Sequence, residues 1–205
     1  MNMASTNTQL ALLKAELASL VKKVNGVGID VELIFEKKNM LSAFKALRDK
    51  ANLSYTQLID VCAVDYLGQK DKRFEVVYHL LSMDYNRRVR VKVALDDGES
   101  IPSLTGLFVG ANWWERETFD MFGISFEGHP DLRRILSDYE FQGFPLRKDF
   151  PLTGYVQVRY DPEARAVVKE PVHLAQAYRT FETLSPWEGM GQAVGRSAPE
   201  KRERS

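Results

Sequence analysis

Four charged side chains stand beside two tryptophans in the segment ANWWERETFDMFG, residues 111–123. They are Glu115, Arg116, Glu117 and Asp120. Carboxylates act as general acids or bases when burial or a neighbouring like charge raises their pKa. The same side chains could instead bind a metal ion or border a surface that docks onto another protein. The segment therefore raises three alternatives, which are acid/base catalysis, metal binding and docking.

The segment is predicted to form a helix from about Trp113 to Phe122. Asn112 is followed three residues later by Glu115, as in a capping box, and Gly123 stands where a glycine commonly ends a helix. The charged residues therefore need to be judged by their positions around a helix.

Helical spacing argues against a shared catalytic role for the two glutamates. Glu115 and Glu117 lie on opposite sides of a helix, whereas Arg116 and Asp120 are spaced for an ion pair along its surface. Structural ion pairs are the usual source of such clusters, so caps and ion pairs are the favoured interpretation. An acid/base pair of Glu117 with His129 is the alternative.

Metal and nucleotide binding lack a recognisable sequence pattern. The histidines His79, His129 and His173 are isolated, and Cys62 is the only cysteine. A single cysteine excludes internal disulfides and a zinc or iron–sulfur site built from this chain's thiolates alone. Glycine-rich phosphate loops are also missing from the sequence. We therefore expect this chain to bind no cofactor and no metal.

The charge balance argues against nucleic acid as a partner. The chain has 28 basic and 28 acidic residues, so a strong positive field is absent. The longest uncharged run, residues 100–114, is shorter than the roughly 20 apolar residues needed to cross a bilayer. With no convincing import signal at the start, the sequence predicts a cytoplasmic protein without a membrane span.

Apolar periodicity predicts an α+β fold with helices on one side of a mixed or antiparallel sheet. A helix with an apolar stripe over residues 10–24, ended by Gly26, precedes a strand over residues 29–35. Asn39 is expected to cap a second helix whose stripe extends from residue 40 to Ala51. The apolar run at residues 58–64 is a candidate central strand.

Two further strands are predicted over residues 74–81 and 89–95, joined by a turn at residues 84–88. Beyond them, residues 143–155 carry prolines that favour extended geometry, and we call this segment the strap. Its charged residues Arg147, Lys148 and Asp149 form a charged knot. Its apolar residues must be buried against its own domain or against another chain.

The chain is predicted to divide into an α+β domain, residues 1–150, and a partner-docking tail, residues 151–205. Residues 155–161 and 165–170 form a β-hairpin in this prediction, and residues 189–205 are expected to be disordered until a partner orders them. A two-stranded hairpin is only marginally stable alone, so the tail is expected to need another surface.

The helix and the strap together resemble the C subunit of respiratory complex I, the proton-pumping NADH:quinone oxidoreductase. The resemblance starts with Glu-Arg-Glu, an acid two residues later and two apolar residues, and continues with a histidine, a basic residue and two aliphatic residues. The matching residues here are Glu115, Arg116, Glu117, Asp120, Met121, Phe122, His129, Arg133, Ile135 and Leu136. The strap and the segment at residues 170–189 also resemble the family, although Glu140 and Phe144 depart from its common residues.

The resemblance implies a peripheral-arm subunit that carries no flavin, iron–sulfur cluster or quinone, although the whole complex contains FMN, iron–sulfur clusters and quinone. Its implied partners are the quinone-reducing D subunit, which resembles a hydrogenase large subunit, and other peripheral-arm subunits. Its implied location is the cytoplasmic face of the bacterial inner membrane, or the matrix side in a mitochondrion. The equivalent subunit of a related membrane hydrogenase or photosynthetic complex is a further alternative.

The four charged residues of segment 111–123 are then expected to have a structural role. We expect the acids and Arg116 of the helix to pair with Arg133, Arg134 or the charged knot, and so to fix the strap where the tail leaves for its partner. The residues in this structural and partner-docking prediction are Glu115, Arg116, Glu117, Asp120, His129, Arg133, Arg134, Arg147, Lys148 and Asp149.

Overall fold

The structure is a computed structural model that describes residues 3–27 and 30–176. Its helices and strands follow the chain in this order: α1 Met3–Glu16, β1 Val21–Val27, β2 Asp30–Phe35, α2 Met40–Asp49, β3 Gln57–Asp65, β4 Phe74–Ser82, β5 Arg87–Leu95, β6 Ile101–Pro102, α3 Ala111–Phe122, β7 Phe126–Glu127, β8 Val156–Asp161 and β9 Ala166–Pro171. The predicted α+β class is confirmed.

The main sheet of the described chain has five strands in the order β1-β2-β5-β4-β3. Neighbouring strands in this sheet pair antiparallel, except for β2 and β5, which pair parallel. The register places Leu33, Val91, Tyr78 and Val61 side by side across the sheet, and all four are buried. Because side chains alternate along a strand, these residues define one apolar face of the sheet.

Helices α1 and α2 supply the other half of the core. Leu13 and Leu17 come from α1 and the turn that follows it, and Met40, Phe44 and Leu47 come from α2. All five are fully buried in one cluster with the apolar face of the sheet. The predicted stripe of α2 is therefore confirmed up to Leu47, but the helix ends at Asp49 and Ala51 is exposed.

The predicted first helix is wrong in its second half, because α1 ends at Glu16 and residues 21–27 form strand β1. The valines of this segment suit a strand as well as a helical stripe, and antiparallel pairing with β2 decides between them. Gly26 is not a helix-ending residue. It lies in β1, where a Cβ would stand 3.1 Å from Leu10 Cδ1, so glycine permits the approach of α1.

Strand β3 is also misplaced by the sequence prediction, since it lies at an edge of the sheet and β5 is central. Helix α3 contacts this edge strand. The Thr118 hydroxyl is shared between the Trp114 carbonyl of its own helix, at 2.9 Å, and the Val61 carbonyl of β3, at 3.3 Å, which no sixth strand pairs with in the described sheet. An apolar run is therefore compatible with an edge strand when a helix covers that edge.

The chain divides into two units, Met1–Gly154 and Tyr155–Ser205. In the second unit, β8 and β9 form the predicted antiparallel hairpin. The expected disorder of residues 189–205 lies outside the described residues. Among the residues that the structure describes, none of the helices has both the length and the apolar composition needed to cross a bilayer.

Candidate functional site around helix α3 and the strap

Helix α3 forms as predicted from the sequence and ends at Gly123, which has a left-handed φ of 74° and donates its N–H to the Phe119 carbonyl. Its start differs from the prediction. Gly110 is the N-cap, and no side chain caps the helix there. Asn112 and Glu115 therefore do not form a capping box, because the Glu115 carboxylate binds elsewhere.

Glu115 is fully buried and holds the loop that precedes α3. Its carboxylate accepts hydrogen bonds from the Ser103 hydroxyl at 2.6 Å and from the Leu104 N–H at 2.7 Å. Burial raises the pKa of Glu115 to about 7, although both hydrogen bonds act to lower it. The expected ion pair of Glu115 with the basic residues downstream is therefore wrong.

Asp120 is the second fully buried acid of α3, and it holds the segment after the helix. One carboxylate oxygen accepts the backbone N–H groups of Ile135, Leu136 and Ser137 at 2.8–3.0 Å. The other oxygen is 2.7 Å from Nη1 of Arg134. Burial acts to raise the pKa of Asp120, but these donors lower it to about 2. The expected ion pair with Arg134 is therefore present.

Arg116 and Arg133 do not pair with the acids of α3. Arg116 donates to the carbonyls of Arg133 and Arg134 at 3.0 and 3.2 Å, so it contacts the expected segment through backbone rather than side chains. Arg133 pairs with Asp131 at the surface. The predicted i,i+4 pair of Arg116 with Asp120 is wrong, because Asp120 uses Arg134 and three backbone N–H groups instead.

His129 and Glu117, the alternative acid/base pair, are used differently. His129 Nδ1 accepts the Asp131 N–H at 3.0 Å, which leaves Nε2 as the donor to the Asn112 carbonyl, also at 3.0 Å. Both ring nitrogens are thus engaged by backbone groups. Among the described residues, no hydrogen bond or ion pair joins Glu117 to His129. The geometry therefore does not support an acid/base site of these two residues.

The strap caps the C-terminus of α3. Nε of Arg147 donates to the Phe122 carbonyl at 2.6 Å, and the Leu146 N–H donates to the Met121 carbonyl at 3.1 Å. Both carbonyls belong to the last turn of the helix, where carbonyls lack partners within the helix. A cation at this end also interacts favourably with the helix dipole. The strap therefore completes α3 rather than only following it.

The rest of the charged knot binds the end of the β3–β4 hairpin. The Lys148 N–H donates to the buried carboxylate of Asp65 at 2.9 Å, and Asp149 lies 2.8 Å from Arg73. Arg73 itself makes two hydrogen bonds to Asp65, at 3.0 and 3.1 Å. Burial acts to raise the pKa of Asp65, but Arg73 and the backbone donors lower it. Lys148 and Asp149 therefore bind this hairpin and not the acids of α3.

The backbone of the strap differs from the extended form that the prolines predict. Three successive turns close through N–H to carbonyl bonds, from Arg147 to Phe144, from Phe150 to Arg147 and from Gly154 to Pro151. Pro145 stands at the second position of the first turn, where its fixed φ is favoured. Prolines at this spacing are thus compatible with turns as well as with an extended chain.

An apolar groove lies beside α3, with a volume of about 920 Å³. We call it the tryptophan groove. Val109 and Trp113 are 89% and 69% exposed, and Glu117 is the acid at its edge. Its lining residues are Thr105, Val109, Gly110, Asn112, Trp113, Trp114, Glu117, Pro130, Ile135 and Leu136. Both tryptophans of α3 therefore lie at the surface rather than in the core.

The residues outside α3 that bind the strap or a buried acid of the helix were not predicted from the sequence. Asp65 and Arg73 end β3 and precede β4, so the hairpin pairing could have placed them together. Ser103 and Leu104 gave no signal, because a single hydroxyl and a backbone N–H have no sequence pattern. The structure also brings His79 together with Asp60 and Cys62, although the histidines are isolated in the sequence.

Comparison with known proteins identifies the family. The sequence model of the family described as "Respiratory-chain NADH dehydrogenase, 30 Kd subunit" matches residues 33–156, which include α3 and the whole strap. The chain belongs to this family. The resemblance to the C subunit of complex I is therefore confirmed, and the buried contacts of α3 lie in the part of the chain that defines the 30 Kd subunit family.

Relatives in the 30 Kd subunit family match over most of their length. The C subunit of the NADH-quinone oxidoreductase of Paramagnetospirillum magneticum is 54% identical over 173 residues, covering 84% of this chain and 86% of the relative. The subunit of the same name from Rhodospirillum rubrum is 47% identical over 189 residues, with 92% and 88% covered. A chain from the membrane-bound sulfane sulfur reductase, an archaeal respiratory membrane complex, has a TM-score of 0.60 at 24% identity. The match covers 71% of this chain and 86% of that one, and it supports the fold alone.

Proposed function

We propose that the chain is a structural subunit of the peripheral arm of NADH:quinone oxidoreductase and carries no catalytic residue or redox cofactor. In this role it supports an enzyme that passes electrons from NADH through FMN and iron–sulfur clusters to quinone, coupled to proton translocation. Membership of the 30 Kd subunit family supports the proposal. So does the use of Glu115, Asp120 and His129 for contacts within the chain.

The partner in this proposal is the quinone-reducing subunit that resembles a hydrogenase large subunit, here called the hydrogenase-like subunit. The observation that carries the docking proposal is the tryptophan groove, where aromatic and aliphatic side chains are exposed next to an internally fixed helix. Aromatic residues on a rigid support are typical anchors of protein interfaces. We propose further that the assembly places the chain at the cytoplasmic face of the inner membrane, or at the matrix side in a mitochondrion.

Replacement of Trp113 by aspartate tests the docking surface. Trp113 lies at the surface, so Trp113→Asp should leave the fold intact while it places an unpaired carboxylate in an apolar interface. We expect the amount of complex that co-purifies with the affinity-tagged hydrogenase-like subunit to fall by at least about tenfold. The rate of NADH:quinone reduction per assembled complex should not change.

Met83→Asp is the matched control, because Met83 is 66% exposed in the turn between β4 and β5, far from α3 in the sequence. It should assemble as the unmodified chain does. Equal losses in both variants would contradict the tryptophan groove as the docking surface.

Glu117→Gln separates a structural role from a catalytic role. A Glu117→Gln variant that assembled fully but lost quinone reduction would favour the acid/base alternative.

A further inference from the structure

Three different metal-binding side chains meet on the sheet face that points away from the core. Asp60 and Cys62 are two residues apart on β3, and His79 pairs directly with Asp60 across to β4. Alternation along a strand therefore directs all three to one face. One ligand atom from each residue lies within 4.8 Å of the others, and each residue is partly buried.

The three donors form a mixed set of one oxygen, one sulfur and one nitrogen. Zinc binds such donors at about 2.0–2.3 Å in a tetrahedral arrangement, which separates the donors by roughly 3.3–3.8 Å. Donor atoms that lie as much as 4.8 Å apart therefore need to approach each other by about 1–1.5 Å. Rotation of the Asp60 and Cys62 side chains between staggered rotamers is the movement that would close this distance.

The charges around the cluster fit a bound dication. Arg88 and Arg90 line the same cavity as Asp60 and His79, which has a volume of about 310 Å³. A divalent ion together with the Asp60 carboxylate and a Cys62 thiolate has no net charge, so it does not repel the two arginines.

We propose that Asp60, Cys62 and His79 bind a divalent transition-metal ion of the zinc class, with the fourth coordination position facing the adjoining cavity. The thiolate and the imidazole favour zinc or cobalt over magnesium and calcium, which prefer oxygen ligands. None of these three residues lines the tryptophan groove, so the proposal stands independently of the proposed function.

Cobalt binding to the chelator-treated full chain tests the proposal. Co²⁺ should bind with one-to-one stoichiometry and give a thiolate-to-cobalt charge-transfer band, which Zn²⁺ should remove by displacement. Cys62→Ser should abolish the band, and His79→Gln and Asp60→Asn should each weaken metal binding by about tenfold or more. His173→Gln, which changes a histidine outside the cluster, should bind as the unmodified chain does.

Alkylation of Cys62 gives a second measurement that does not depend on a variant at the thiol itself. Zn²⁺ should slow the alkylation in the unmodified chain but not in His79→Gln. Circular dichroism will establish that the variants are folded. The proposal is overturned by the absence of a charge-transfer band, by unchanged affinity in the three cluster variants, or by a loss in His173→Gln as large as theirs.

Discussion

The two buried acids of α3 have opposite electrostatic surroundings, although they are only five positions apart. Asp120 accepts three backbone N–H groups and an arginine, so its charged form is stabilised and its pKa falls to about 2. Glu115 has one hydroxyl and one N–H donor and lies near the buried Tyr78, so burial dominates and its pKa rises to about 7. Similar side chains on one helix therefore make different contributions to stability.

Asp120→Asn is expected to lower the free energy of unfolding at pH 7 by about 3 kcal/mol, because it leaves Arg134 without its partner and weakens three backbone contacts. Urea unfolding measures this loss. Asp131→Asn is the matched control, since it breaks an exposed ion pair with Arg133 and should cost less than about 0.5 kcal/mol. Similar losses in the two variants would show that the buried ion pair contributes no more to stability than the exposed one.

The contribution of Asp120 is also expected to depend on pH at the acid end. Its pKa in the folded chain, about 2, is below the ordinary 3.8. The stabilisation is therefore present above about 3.8 and is lost as the pH falls toward 2. The difference in unfolding free energy between the unmodified chain and Asp120→Asn should be constant from about pH 4.5 to about 7.5 and should shrink below that range.

Glu115→Gln is expected to show the opposite pH dependence. The folded-state pKa of Glu115, about 7, exceeds the ordinary 4.5, so its stabilisation is full below 4.5 and is lost as the pH rises through 7. The unfolding free energy of the unmodified chain should therefore fall by about 3 kcal/mol relative to Glu115→Gln over this interval. Urea unfolding at about pH 4.5 and about pH 7.5 measures it, and parallel curves for the two chains would refute the assignment.

At the scale of elements, α3 and the strap form one structural unit. Carbonyls in the last turn of α3 accept hydrogen bonds from Leu146 and Arg147, and the knot then binds the end of the β3–β4 hairpin through Asp65 and Arg73. Each contact joins an element to a segment remote in sequence. The strap therefore couples the C-terminus of α3 to the main sheet.

Gly123→Ala should disturb this junction. A Cβ at Gly123 would lie 2.6 Å from the Phe144 ring and 2.7 Å from Nη2 of Arg147, at a φ that disfavours alanine. We expect a loss of about 2–4 kcal/mol from the strain and the displaced strap together. Trypsin should also cut faster after Arg147 and Lys148, which limited proteolysis measures.

Gly68→Ala is the control for backbone strain alone. Gly68 also has a positive φ, 69°, but no atom lies within 4 Å of the added Cβ. It should cost only about 1 kcal/mol and leave proteolysis of the strap unchanged. Equal effects at the two glycines would mean that the contact with Phe144 and Arg147 does not hold the strap in place.

At the scale of the whole molecule, the described hydrophobic core is confined to the first unit. The fully or nearly fully buried apolar residues of the described chain lie between Leu13 and Phe126. In the second unit, by contrast, Val156, Val158 and Val167 are all more than half exposed. The first unit therefore has the apolar burial needed for independent stability, and the hairpin has little.

Truncation after Gly154 is expected to leave the first unit folded. Its melting temperature should stay within about 2 °C of the full chain, because the described core residues all remain. Because the tail is predicted to dock onto a partner, co-purification of the truncated chain with the tagged hydrogenase-like subunit should decrease strongly. Differential scanning calorimetry and affinity capture measure the two effects, and unfolding of the truncated chain would show that the tail is part of the core.

The elements that were predicted correctly are those whose conformation is specified by a pattern within one short segment of the sequence. The alternation of Val89, Val91 and Val93 and the apolar stripe of α2 report a period of two or of about 3.6 residues, which is visible within one short segment. Gly123 likewise marks the end of α3 through its own backbone conformation. Strand β1 was missed because its valines also fit a helical stripe, and pairing with β2 decided its conformation.

The sequence by itself determined the family, the α+β class and the absence of recognisable cofactor motifs. Tertiary structure alone decided that Asp120 binds Arg134 rather than Arg116, that Glu115 holds Leu104, and that Lys148 contacts Asp65 across 83 positions. The physical reason is that periodicity and turn preferences act over a few residues. The partner of a buried charge depends instead on which distant donors the chain topology brings within hydrogen-bond distance.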